Sequence, residues 1–195
     1  SASKAVADKH KDVDPFILYK WETIFKKFFD TTASGDVQWA DFYLVVRHIR
    51  DIYGKESDQM SYAQSSMKSL WEGLLGLADQ NKDEVITVHE WISTLKKHKD
   101  VESKWFKDYL TYMFKLFDVS ADEKLDVAEY TDGMAAYGHD STEAHNAFQK
   151  FAVDKHGKPC QTLDWFLWKD RFNEYFYSKD KKAPGNHLFG VLPGC

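Results

Sequence analysis

The chain has 195 residues, of which 43% are hydrophobic and 16% aromatic, and a formal net charge of −5. That length suits one large domain or two small ones in contact, with an ordered core, and the mild acidity argues against a general nucleic-acid binder, which would need a basic face. The polar start SASKAVADKHKDVD does not read as a signal peptide, and no apolar run approaches the roughly 20 residues of a membrane helix.

In chain order, the first strong signal is DPFILYKWETIFKKFFD. Asp14 stands where an N-cap is needed, and Pro15 takes the first helical position, where its missing N–H costs nothing. Phe16, Leu18, Tyr19, Ile24, Phe25 and Phe28 give a broad apolar face. Further helical patterns run approximately over 39–53, 60–78, 88–98, 102–117, 127–138, 141–152 and 162–177, eight helices in all. No period-two alternation is long enough for a sheet strand. Cys160 and Cys195 make neither a metal-type spacing nor a disulfide framework, which points to a reducing, cytoplasmic compartment.

Short acidic loops punctuate the helices, with starts aligned at Asp30, Asp79, Asp118 and Asp154, separated by 49, 39 and 36 residues. This is an internal helix–loop–helix repeat. The densest loop, Asp118–Glu129, carries five carboxylates: Asp118, Asp122, Glu123, Asp126 and Glu129. Like charges repel at that spacing unless a cation neutralises them. A hard cation such as Ca²⁺ takes about 6–8 oxygens. A twelve-residue loop supplies them from positions 1, 3, 5, 7 (by its carbonyl), 9 and 12. Position 8 is apolar and faces a partner loop, and position 6 favours Gly.

The third loop offers Asp118, Ser120, Asp122, the Lys124 carbonyl, Asp126 and Glu129, with Leu125 at position 8. The second offers Asp79, Asn81, Asp83, the Val85 carbonyl, Thr87 and Glu90, with Ile86 at position 8. Glu123 and Glu84 replace Gly at position 6, a left-handed conformation that costs a non-Gly residue on the order of 1–2 kcal/mol. The first loop offers Asp30, Thr32, Ser34, the Asp36 carbonyl, Gln38 and Asp41, with Gly35 and Val37 at positions 6 and 8. Asp41 is one methylene shorter than Glu, so it should reach as a single-oxygen ligand. Six-coordination then favours Mg²⁺. The fourth loop, framed on Asp154–Trp165, fails: Lys158 stands at position 5 and Trp165 at position 12. It reads as a degenerate loop kept to pair with the third, with Cys160 or Gln161 beside Leu125.

These features predict an all-α fold of four EF-hand motifs in two pairs forming one body. Residues 1–99 hold the first pair, 100–178 the second, and 179–195 a tail. Three competent loops, a long first gap and a dead fourth loop resemble the invertebrate sarcoplasmic calcium-binding protein family over about residues 14–180. Aromatic-rich helices and the tail KDKKAPGNHLFGVLPGC are most similar to its neuronal branch. The resemblance implies a soluble Ca²⁺ or Ca²⁺/Mg²⁺ binder, and the chain is expected to be a monomer. It also implies calcium signalling through potassium channels or internal calcium-release channels and a link to GTP; calcium-dependent membrane association is a separate expectation that rests on release of the apolar tail segment His187–Gly194.

Sensor and buffer compete as functions. Four Met against 31 Phe, Tyr and Trp make a stiff interior that limits opening, whereas unequal loops suit a graded response. A photoprotein reading is weak because those chains use a fourth loop, dead here, and end in Pro rather than PGC. Gly133 and Gly138 in GMAAYGH have phosphate-loop spacing, without the Lys and Ser/Thr or a preceding strand. The tail segment HLFGVLPG is expected to plug a groove in the C-terminal half, or to be released by calcium. No catalytic constellation stands out.

Overall fold

The computed structural model describes residues 1–195. Nine α-helices follow in order: α1 (Lys4–Lys9), α2 (Pro15–Ile24), α3 (Trp39–Tyr53), α4 (Asp58–Ala78), α5 (Val88–Lys96), α6 (Lys104–Phe117), α7 (Val127–Ala135), α8 (Ser141–Phe151) and α9 (Trp165–Tyr177). Two-residue strands β1 (Lys124–Leu125) and β2 (Leu163–Asp164) pair antiparallel, and Val37 forms an isolated bridge with Ile86. The eight expected helices are present. The ninth, α1, lies in the start that reads as polar. Ser3 caps it through Val6 N–H, and the Ser3 amide and hydroxyl both donate to Glu22. Val6 is its one buried residue.

Local sequence explains most helix ends. Asp14 Oδ1 accepts from the Phe16 and Ile17 amides, and Pro15 follows it. Thr87, Asp126 and Asp164 cap α5, α7 and α9 in the same way. One departure has no sequence signal. α2 widens into a π-helical turn, Phe25–Phe29, so the Asp30 amide donates to Phe25 O, five residues back. The helices entering the next two loops end on ordinary bonds, Asp79 N–H to Leu75 O and Asp118 N–H to Phe114 O.

One cluster of 51 buried residues runs through the whole molecule. Aromatic rings join its halves: Phe28 of the π turn stacks on Tyr137, 3.9 Å between centroids. Indole N–H groups find backbone carbonyls, which lets large rings be buried without loss of a hydrogen bond. Trp21 donates to Phe176 O and Trp91 to Trp21 O. Trp105 donates to Leu70 O, and Trp168 to Leu110 O. His48 of α3 bonds Ala136 O beyond α7.

The tail turns through a 3₁₀ helix, Pro184–His187, and lies inside the fold. Leu188, Phe189 and Leu192 are buried. Phe189 touches Phe172, Tyr175 and Phe176 of α9 and also Phe28, so the tail spans both halves rather than the C-terminal half alone. Lys20, fully buried, donates to Glu174 O, Ser178 O and the Asn186 side chain. Burial pushes its amine down to about 8. Gly185 sits so close to the Arg171 carbonyl that a Cβ there would overlap it.

The paired glycines of GMAAYGH have packing explanations. Gly133 lies under the Phe117 ring, where a Cβ would overlap it, and Gly138 has φ +83° just after α7.

Candidate metal centre

The first three loops share one backbone plan. In each, the position-1 carboxylate accepts from the amides of positions 5 and 6. Asp30 takes Ser34 N–H at 3.0 Å and Gly35 N–H at 2.8 Å. Asp79 takes Asp83 and Glu84 at 3.3 and 2.8 Å, and Asp118 takes Asp122 and Glu123 at 3.3 and 2.8 Å. The position-12 carboxylate returns to the position-9 amide: Asp41 to Gln38 at 2.7 Å, Glu90 to Thr87 at 3.0 Å, Glu129 to Asp126 at 3.3 Å. Its second oxygen reaches the loop's opening turn, at Thr32, Gln80 and Ser120.

The price of this plan is left-handed backbone at position 6, as the sequence indicates, and also at position 4, which it does not. Glu84 and Glu123 have φ 61° and 62°, and Ala33, Lys82 and Ala121 have φ 56–58°. Such conformations persist where surrounding structure holds them. Here the holding groups are the amide bonds to Asp30, Asp79 and Asp118.

The carboxylates converge to different degrees. Asp118, Asp122 and Glu129 place one oxygen each within 4.8 Å of the others. Ser120 Oγ sits between two of them, 3.4 Å from Asp118 and 3.2 Å from Glu129. Three negative groups at that separation suit a hard divalent cation. The Lys124 amide bonds Asp122 Oδ1 and holds that carboxyl below its usual range. In the second loop the Val85 amide does the same for Asp83, and Asn81 donates to Asp83 Oδ2.

Loop one differs in kind. Asp41 is 1% exposed, and its Oδ1 accepts from both the amide and hydroxyl of Thr32. Ser34 Oγ donates to the Asp36 carbonyl. The short side chain thus reaches as far back as Glu129 does. The π turn that delivers Asp30 is the structural feature peculiar to this loop. The donor set of Asp30, Thr32, Ser34, Asp36 carbonyl and Asp41 has only two carboxylates.

The fourth loop needs a new register. Leu125 pairs with Leu163, not with Cys160 or Gln161. Asp164 is the N-cap of α9 and bonds Leu167 N–H, so it stands where Gln38, Thr87 and Asp126 stand. Ala152 has φ −82° and ψ 69°, like Asp30, Asp79 and Asp118 at the ends of their helices. The loop therefore opens on Ala152, carries four extra residues, and has Leu167 at position 12. Asp154 heads a tight hairpin of its own, accepting from His156 and Lys158 amides, with Val153 bridged to Pro159. The Arg171 guanidinium of α9 donates to Phe151 O and Val153 O, so a fixed cation ties the entry of this loop to the helix that follows it. The loop is therefore not framed on Asp154–Trp165: Asp154 is only the first acid after α8, and the four inserted residues, which carry no sequence mark, shift the frame.

Fold and loops together define the class: an EF-hand calcium-binding protein with three metal-type loops and one that lacks the ligands. No family model matches the sequence. It is 54% identical to Calexcitin-1 of Caenorhabditis elegans over 94% of this chain and 91% of that one. It is 28% identical to sarcoplasmic calcium-binding proteins I, III and IV of Branchiostoma lanceolatum, over 93% of this chain and all of theirs. The solved sarcoplasmic calcium-binding protein from amphioxus superposes with a TM-score of 0.72 at 24% identity, covering 93% of this chain and 100% of that one. The chain belongs to the calexcitin family, within the wider group of sarcoplasmic calcium-binding proteins. The coelenterazine-binding protein of Renilla muelleri shares the fold, with a TM-score of 0.65 at 18% identity over 98% of this chain and 100% of that one.

Proposed function

We propose that this protein is a calcium sensor of neuronal type that takes up about three Ca²⁺ ions through its first three loops. The observation that carries the reading is one shared loop geometry filled with unequal donors. Loop three has four carboxylates, loop two three and loop one two, which ranks them three, two, one in strength. The first loop, with Asp41 at position 12, is the one for Mg²⁺ at rest. Uneven sites let occupancy follow a rising calcium signal in steps. The same reading puts the chain in the cytoplasm as a monomer. Its targets would be potassium channels or internal calcium-release channels, with GTP and reversible membrane contact as further ligands. The channels and GTP rest on family membership, and the membrane contact on the apolar tail segment His187–Gly194.

A specific observation favours the second reading, a calcium/magnesium buffer. All four methionines, Met60, Met67, Met113 and Met134, are buried, and the tail is packed into the core. In this packing the methionines are not presented to a partner as they are in the groove that opened sensors expose.

The deciding experiment adds Ca²⁺ to the Mg²⁺-loaded protein and follows a hydrophobic-surface dye while calorimetry counts ions. A large dye increase with about three ions bound supports the sensor. Equal binding with no dye change leaves the buffer as the function.

A further inference from the structure

One surface groove is neither part of the loops nor filled by the tail. It lies between α3 and α4 and encloses about 200 Å³. Its apolar lining is Trp39 and Tyr43, which reach the surface, over a floor of the buried Val46, Met60 and Met67. On α3 these fall at i, i+4 and i+7, and on α4 at i and i+7, so each helix turns one stripe to the groove. Tyr43 is 49% exposed, one of few large apolar side chains left in water. Arg47, Arg50 and Lys68 form the rim, all exposed, and no carboxylate lines the groove. Arg47 and Lys68 make no ion pair, and Arg50 has only a 3.9 Å contact with Asp51.

On a molecule of net charge −5, three cations gathered around an apolar trough are a local reversal of sign. We infer that this groove docks an amphipathic helix from a partner protein, with two or three apolar side chains in the trough and Asp or Glu along its flanks. The concave, helix-lined shape suits a helix laid in a groove. Arginine and aromatic residues are the types that carry most energy at such contacts. An anionic bilayer is the weaker occupant, because a flat surface meets the acidic remainder of the molecule as well as the rim. The inference deepens the sensor reading by giving it a partner class, and α3 couples the two, since it begins at Trp39 and carries Asp41 of the first loop.

The test uses a fluorescein-labelled synthetic helix with Leu at every third or fourth position and Glu on both flanks. Anisotropy is read against the full chain in Ca²⁺ and again in chelator, separately from ion counting, so that either reading can fail alone. Saturable binding is expected in at least one condition. It should weaken at least tenfold in the double variant R47E/K68E and in Tyr43→Ser, with far-UV circular dichroism unchanged. A Lys-flanked helix should bind the wild type poorly and gain on R47E/K68E. Binding that ignores these substitutions, or no binding of the Glu-flanked helix in either condition, overturns the inference. Preferential pelleting with phosphatidylserine vesicles, lost in R47E/K68E, would also overturn it and assign the groove to lipid.

Discussion

Glu129 is the residue whose change isolates a single loop. Both its oxygens are engaged, to Ser120 and Asp126, and it belongs to the one tight three-carboxylate group. Glu129→Gln keeps the shape and removes the charge, so the calorimetric stoichiometry should fall by one ion while the two weaker sites keep their affinities. A titration still giving three equal sites contradicts the assignment. Lys20 is a different kind of residue, a buried ammonium spent on three acceptors rather than on an acid. Its folded pKa, about 8, lies below the ordinary value of 10.5. Between these values the unfolded chain binds more protons, so stability rises with pH there, and the penalty is fully present below 8. Lys20→Met should abolish that rise in urea melts taken between pH 8 and 10. At neutral pH the lost donor to Glu174 O, Ser178 O and Asn186 is opposed by removal of that same penalty, so the slope of stability against pH, not its size at pH 7, is the readout.

At the scale of elements, the tail and the fourth loop behave as structure rather than as appendages. Removing residues 184–195 withdraws Leu188, Phe189 and Leu192 from the core and the Leu188 carbonyl from Tyr130 OH. Burial of such side chains stabilises by roughly 1.5–3 kcal/mol each. The truncated chain should therefore lose at least about 3 kcal/mol in denaturant melts, with or without Ca²⁺. If the loss vanishes in Ca²⁺, calcium releases the tail. Arg171 makes a parallel case. It supplies loop four with a built-in cation, so Arg171→Met should lower stability in chelator as much as in Ca²⁺. Glu129→Gln, by contrast, should lower it in Ca²⁺ alone, and melts of both variants in both conditions separate the two effects.

For the molecule as a whole, the two halves have no separate cores. Trp21, Phe28 and Phe29 reach into the second half through Phe176, Tyr137 and Tyr109. We expect one cooperative unfolding transition, with tryptophan fluorescence and far-UV circular dichroism giving the same midpoint. Two separated transitions would show that the halves fold independently and that the shared aromatic layer contributes little.

The sequence by itself determined the helices and the first three loops, because both are local. Apolar spacing, Asp14–Pro15 and the spacing of the acidic and hydroxyl side chains inside each loop act within a dozen residues of one another. Tertiary structure decided what depends on contacts distant in the chain. The polar helix α1 exists because Ser3 meets Glu22, nineteen residues on. The fourth loop takes its register from the pairing of Leu163 with Leu125 rather than from its first acid. The left-handed residues Ala33, Lys82 and Ala121 are the exception, local in cause yet silent in sequence: the turn of amides around Asp30, Asp79 and Asp118 sets them, and their side chains carry no preference to announce it. The tail segment is apolar in any reading, and only the gap between α2, α8 and α9 says where those side chains leave water.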